Sequence, residues 1–401
     1  MNHVDATLTE VEPLRRQALI IGALALAVCL VGAYFDRPQF FRAYLIAYVF
    51  WLGVPLGCLG IVMIHHLVGG TWGFVIQRPL ESAVRTFPLM ALLFVPLCFG
   101  LSDLYIWARP DVVVHDPVLQ QKSVYLNVPF FIARAIFYFA VWIALAHWLT
   151  QWSVEQDCMD AGAAGGRSFV ERLQTLSGPG LVLYGLTVTF SSIDWVMSLE
   201  PKWYSSIYGM IFMVSHGLVA LAFAIGAAYF LSRREPLANV AAPWVFQDMG
   251  NLMLTFVMLW AYTSFSQFLI IWIANLQHEI PWYLHRLAGG WGVIAVLLVA
   301  LQFALPFLLL LSHAMKQKTT ALFGIAVLVA LMHWVEMLWF VAPTFHPEGF
   351  ALHWTSVVAP LGIGGLWIGT FLWQMQGRAL LPFRDPRFIA ILEEHELVKN
   401  G

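Results

Sequence analysis

Runs of about 20 apolar residues recur along this chain from residue 18 to residue 376, each long enough to cross a bilayer as a helix. Little else that 401 residues can fold into survives that pattern. Charge points the same way. Only 11% of the residues are charged and 60% are hydrophobic, with a mean hydropathy of +0.75, whereas a soluble domain keeps roughly a quarter of its residues charged. A soluble chain of this length could not cover its surface with so few. An all-α polytopic membrane protein is predicted, one membrane domain over 18–376 with an N-terminal segment 1–17 and a C-terminal tail 377–401.

The runs fall at 18–35, 43–68, 87–107, 128–150, 179–199, 204–231, 249–274, 288–313, 320–342 and 353–376, which predicts ten spanning helices. Pro55, Pro96, Pro306 and Pro360 lie inside runs, where neighbouring membrane helices can accommodate them. The longest connection, 151–178, holds the flexible DAGAAGG and then a short helix that Ser168 and Glu171 would open with capping-box spacing. The first sixteen residues mix acids with Arg15 and Arg16, and no A-x-A site follows the first run, so it reads as a retained helix rather than a cleaved signal. Cys29, Cys58, Cys98 and Cys158 show neither CxxC spacing nor a histidine pattern. They read as small hydrophobes, and an iron–sulfur cluster held by this chain alone is not expected. The net charge of −2 suggests no nucleic-acid partner.

Basic residues set the orientation. Loops on the N-terminal side hold fourteen Lys and Arg, among them Arg16, Arg78, Arg85, Arg167 and Lys399, against six on the opposite side, Arg286 and Lys202 included. By the positive-inside rule both termini are then cytoplasmic. Arg134 belongs to neither set, because it falls inside the fourth run.

With that orientation and about 1.5 Å of rise per residue, each polar residue takes a depth. Asp103, Arg134, Asp194, Gln267, His333 and Glu336 fall toward the outer side. His65, His66, His147, Asp248 and His313 lie at inner ends, with His216 and Gln302 near mid-depth. An ionisable group in hydrocarbon costs about 2.5 to 3.5 kcal/mol on insertion scales unless it faces protein, water or a partner. Arg134 is a fixed positive charge that Asp103 or Asp194 can neutralise. Ser191, Asp194 and Ser198 give the fifth run one polar stripe, and His333 and Glu336, three apart, share a helix face.

This pattern suits a hydrated cavity that conducts protons or holds a polar headgroup. Asp194, His216, His333, Glu336, Asp103 and Arg134 are the candidate proton-pathway residues, with His65, His66, His147 and Asp248 a polar set on the cytoplasmic side. Blander readings stand beside these: the inner histidines as interfacial groups, Gln302 as an interhelical hydrogen bond, and Asp103 with Arg134 as a structural ion pair. A b-type haem needs two histidines facing each other at matching depth, and His216 and His333 fall at different depths, so none is expected.

LSGPGLVLYGLTVTFSSIDWVMSLEPKWYSSIYGM, residues 176–210, resembles the signature of the ActF-type membrane subunits of bacterial alternative complex III, a quinol-oxidising respiratory assembly. The likeness continues through SHGLVALAFAI (215–225), QDMGNLMLTFVMLWAYTSFSQFLIIWIANL (247–276) and IPWYLHR (280–286). The resemblance implies the NrfD and polysulfide-reductase type of fold, paired four-helix bundles made of runs 2–5 and 6–9 and flanked by runs 1 and 10, in the bacterial inner membrane. It implies as partners an NrfD-like sister subunit of the ActC type that carries the working quinol site, an iron–sulfur protein, a multihaem cytochrome c, small membrane subunits and a terminal oxidase. Quinol, haem c and iron–sulfur clusters then belong to the complex, and none is bound by this chain. In such a subunit the cavity equivalent to the quinol site is poorly suited to quinol, and polar residues have been read as proton half-channels. Lys202 departs from the family pattern, which leads one to expect a histidine there.

The expected function is therefore that of a membrane subunit of a quinol:cytochrome c oxidoreductase, contributing a proton pathway and structural support. Asp194 would exchange protons with outer water through a relay of His216, His333 and Glu336, while Glu200, followed by Pro201, ends a helix and anchors the outer loop. Three other readings stay open: a subunit that itself oxidises quinol, with Asp194 or His333 taking the proton; a solute transporter, against which the off-centre polar groups count; and a scaffold for assembly.

Overall fold

The computed structural model describes residues 2–158, 165–234, 237–382 and 384–390. Among the described residues every regular element is helical and no strand forms. Ten helices among the described residues are long and apolar enough to cross a membrane. They are span 1, Val11–Phe35; span 2, Arg37–Val68; span 3, Thr71–Phe99; span 4, Val128–Asp157; and span 5, Ser168–Leu199. Span 6 is Tyr208–Leu231, span 7 Pro243–Ala274, span 8 Trp291–Leu311, span 9 Thr319–Phe345 and span 10 Thr355–Met375. The protein is a multi-pass membrane protein.

Span 2 is the axis of the fold: 89% of its most apolar stretch is buried inside the protein. It packs on spans 3 and 5 to one side, on spans 6 and 9 to the other, and on span 10. Spans 2–5 form one four-helix bundle, with span 4 lying against spans 3 and 5. Spans 6–9 form the second, with span 7 against spans 6 and 8 and span 9 against spans 6 and 8. Spans 1 and 10 pair outside both. A Cβ on Gly365 would stand 2.5 Å from the Ala18 carbonyl oxygen, and one on Gly22 would stand 2.6 Å from the Leu366 amide, so the two backbones touch. Close backbone approach through small residues is how membrane helices gain packing when lipid is as apolar as they are.

Three boundaries differ from the sequence expectation. Residues 69–86, expected as an inner loop, contain the helix Thr71–Val84, which joins Phe87–Phe99 to make span 3. Arg78 is accordingly not a loop charge but 2% exposed. It pairs with Glu81 three residues on, which lets the apolar remainder of that helix be buried. Asp103 lies just beyond span 3, on the helix Leu101–Leu104. Ser168 does not open a separate loop helix, because Gly165–Trp195 is continuous through it. Lys399 and residues 160–164 of DAGAAGG lie outside the described residues.

Candidate functional site

Glu336 stands in the middle of the second bundle, 2% exposed. Each helix of that bundle brings it a donor. Trp260 of span 7 donates its indole N–H to Oε1 at 2.6 Å, and Gln302 of span 8 donates its amide to Oε2 at 3.2 Å. The Ser215 hydroxyl of span 6 makes a short bond to Oε2. His333, one turn earlier on span 9, places Nδ1 3.1 Å from that oxygen and 2.9 Å from Ser215 Oγ. Ser215 has one proton and gives it to the carboxylate, so the imidazole donates from Nδ1 and, when neutral, keeps its lone pair on Nε2. Among the described residues, the one chargeable partner of Glu336 is His333.

Span 8 reaches this cluster through a change of helix type. Val299–Ala304 forms a π-helical turn, and Pro306 just after it has no N–H to close on the Gln302 carbonyl. The wider turn sets Gln302 on the buried line of Leu298, Pro306 and Leu310.

His216, adjacent to Ser215, packs instead on span 2, at the small-residue sequence GVPLG. A Cβ on Gly53 would come within 2.8 Å of the His216 ring and 3.1 Å of His333 Nε2, and one on Gly57 within 1.9 Å of the His216 carbonyl oxygen. The two histidine rings meet edge to face with centroids 6.1 Å apart. Their depths therefore match, contrary to the sequence expectation, because the crossing at Gly53 and Gly57 registers spans 6 and 9, whereas counting from run ends treats all helices as level. Gly57→Ala is expected to force spans 2 and 6 apart and to lower stability by about 1–3 kcal/mol, the usual cost of overpacking. Thermal denaturation of the detergent-purified protein measures this; an unchanged midpoint would mean the crossing relaxes freely.

The first bundle has its own cluster on spans 4 and 5. Arg134 forks onto Asp194, Nε to Oδ2 at 2.8 Å and Nη2 to Oδ1 at 2.9 Å, and the Tyr138 hydroxyl donates to Oδ2 at 2.8 Å. Arg134 also donates to the Tyr125 carbonyl at 2.9 Å, its guanidinium lying 3.9 Å from the Tyr125 ring centroid. Asp194 is 0% exposed. The rest of the expected polar stripe turns back on its own helix: Ser198 donates to the Asp194 carbonyl at 2.5 Å and Ser191 to the Val188 carbonyl at 3.0 Å. Beside it, burial and then the Asp194 charge push the Tyr105 hydroxyl well above its ordinary pKa, keeping it a donor to the Trp195 carbonyl at 2.8 Å. Of the two acids the sequence offered Arg134, Asp194 is the partner. Asp103 sits at the outer rim, 3.0 Å from Arg37 Nε.

No protein-family model matches this sequence, and no curated protein matches it.

The inner candidates separate. His65 and His66 are core residues, 1% and 0% exposed, with ring centroids 6.0 Å apart and all four nitrogens without a hydrogen-bond partner. They stand in the last turn of span 2 and turn into the protein. His147 is exposed on span 4, Asp248 is half-buried at the start of span 7, and His313 is exposed beyond span 8. Gln267 is buried and accepts the Ser205 hydroxyl at 3.2 Å. Among the described residues no group of three or more His, Cys, Asp or Glu is gathered as metal ligands.

A third network, not foreseen from the sequence, ties span 3 to span 4. Arg78 pairs with Glu81 at 2.6 Å and with Asp157 of span 4. Ser153 donates to Glu81 at 2.6 Å and accepts from Arg78 at 2.7 Å, and Gln77 donates to Glu81 at 2.8 Å. A signal existed in the i,i+3 spacing of Arg78 and Glu81 within the otherwise largely apolar FVIQRPLESAV. Ser215, Tyr138 and Trp260 carried none, being ordinary membrane-helix residues by type. Arg286, expected in an outer loop, is buried and donates to Glu200 at 2.8 Å, which also takes the Thr344 hydroxyl at 2.8 Å. Glu200 thus anchors the outer loop to span 9.

Lys202, where the resemblance leads one to expect histidine, lies 2.7 Å from Asp116, the residue that caps the helix Pro117–Lys122. The hydrogen bond from Lys202 holds the Asp116 carboxyl below its ordinary pKa. A lowered folded pKa makes the tie complete above the unfolded value of about 3.9 and lost only as pH falls through the lowered one, so it persists across the neutral range. Lys202→His would carry charge only below about pH 6.5. Hydrogen exchange in residues 113–122 is then expected to accelerate in this variant as pH rises through neutrality, beyond the ordinary pH dependence seen in the wild type.

Proposed function

We propose that this chain is an integral membrane subunit of a quinol-oxidising respiratory complex of the bacterial inner membrane, where it carries protons and braces its partners without a redox centre of its own. The resemblance over residues 176–210 supports the class of assembly, and the buried clusters support the role. One observation carries that role: Glu336, an acid in the middle of a helix bundle, with donors from four helices and a titratable imidazole instead of a fixed cation beside it. An acid placed so deep is costly and typical of proton relays. Glu336 with His333 is then the exchanging pair, and His216 leads toward the first bundle. Asp194, expected to exchange protons, has both oxygens held by Arg134 and Tyr138, which favours a fixed counter-charge. The ActC-type sister subunit, iron–sulfur protein and multihaem cytochrome c would supply the quinol site and the electron path.

Purification from the native membrane in mild detergent is the test of the assembly, with those three partners expected to come along; a chain that emerges alone sinks it. Within the complex, Glu336→Gln is expected to lower the proton-to-electron stoichiometry while assembly stays intact. Wild-type stoichiometry in that variant removes the proton role.

A cavity of about 250 Å³ favours a second reading, oxidation of quinol by this chain. It opens at the outer end between Tyr125, Ile193, Met197, Trp203 and Tyr204, and Ile193 adjoins Asp194 in sequence. Quinone retained by the purified subunit and displaced by an inhibitor supports that reading, and quinone-free protein removes it.

A further inference from the structure

Between the two bundles lies a second, much smaller cavity, of about 10 Å³, which is room for about one water. Ser191, Ser192 and Trp195 of span 5 line one side, Leu52 and Leu56 of span 2 another, and His216 of span 6 a third. Val49, Val196 and Phe212 make the rest of the wall apolar, and the polar groups set among them have hydrogen bonds unmade. Both ring nitrogens of His216 and the indole N–H of Trp195 are buried without a partner. The Ser191 and Ser192 hydroxyls give their protons to the Val188 and Thr189 carbonyls at 3.0 and 2.8 Å, so each oxygen is left with lone pairs to offer. A neutral imidazole carries one N–H and one lone pair, and inside a protein both seek partners. Purely apolar cavities stay dry, but one of water size with several polar groups on its walls takes a water.

We propose that this cavity binds one ordered water, held by His216 on one side and by span 5 on the other, which gives the two bundles a hydrogen-bonded contact. The inference deepens the proton-carrying role proposed above and rests on it for its consequence. The site lies one helical turn from Asp194 along span 5, and His216 touches His333 on its far side. A water here therefore links the neighbourhood of the Arg134–Asp194–Tyr138 cluster to that of Glu336, a distance the side chains do not bridge alone.

A density map fine enough to show waters, for the wild type and for Ser191→Val in the full-length protein, is the direct test. The expected result is one peak within about 3.2 Å of a His216 ring nitrogen in the wild type and none in Ser191→Val, whose added methyl fills the space. A wild-type cavity without a peak overturns the site. Should Ser191→Val fail to fold, Ser191→Ala keeps the room and removes one acceptor. Its His216 nitrogen-15 resonance is expected to shift, and an unmoved resonance overturns the site equally. Proton-to-electron stoichiometry separates this inference from the reading beneath it. A fall in both Ser191→Val and Glu336→Gln supports the link. A fall in Glu336→Gln alone rejects the water link and leaves the relay standing, and a fall in neither rejects the relay itself.

Discussion

Arg134→Leu is expected to cost about 3–5 kcal/mol of stability, because it strands a carboxylate that water does not reach. Asp194 would keep one donor, the Tyr138 hydroxyl, in place of a forked guanidinium and that hydroxyl together. The double variant Arg134→Leu/Asp194→Leu is expected to recover most of the loss, since two apolar side chains of similar size carry no desolvation penalty. Denaturation of the detergent-purified single and double variants completes the cycle. A single variant that loses less than about 1 kcal/mol would mean that Asp194 takes up a proton easily once Arg134 is gone. That outcome would return Asp194 to the list of proton-exchanging groups and weaken its assignment as a fixed counter-charge.

At the opposite end of the bundle, Arg78→Met is expected to be as damaging, again on the order of 3–5 kcal/mol. Two acids depend on this guanidinium, Glu81 on span 3 and Asp157 on span 4, and with methionine in its place they would be left near one another without a cation. Ser153 and Gln77 would still donate to Glu81, which makes Asp157 the more exposed loser. The loss should therefore appear first as loosening of span 4 against span 3 at their inner ends, read by hydrogen exchange over residues 150–158. Glu81→Gln, which keeps the Ser153 contact and removes one of the charges, is the milder control. A melting temperature in Arg78→Met equal to that of the wild type would show the network to be solvated rather than structural.

These two ion pairs differ in how far the sequence foretold them. Arg134 was legible as an intramembrane cation in need of an acid, because it falls inside a hydrophobic run and such a charge cannot stay unpaired. Which acid it takes was not, since Asp103 and Asp194 both lie toward the outer side and only the packing of span 4 on span 5 chooses between them. Arg78 reads from the sequence as a loop charge and is instead a buried one. Hydropathy ranks a segment by its average, and an arginine with a glutamate three residues on lowers that average enough to look like a loop, even though the pair neutralises itself. His333 with Glu336 and the hydrogen-bonding role of Gln302 were readable from helical spacing and residue type. Their meeting point with Ser215 and Trp260 was not, because those residues become special only through the crossing of four helices.

The membrane class and the ten long apolar helices were both legible from local pattern. These follow from the expulsion of apolar segments from water and from the helical rise, both of which act residue by residue along the chain. Which polar groups meet is settled by the packing of the helices. His216 and His333 come together because Gly53 and Gly57 let spans 2 and 6 touch, and Gln302 reaches Glu336 through a π turn ahead of a proline. Contacts of that kind depend on the angle and offset between helices far apart in sequence, and no local pattern encodes either.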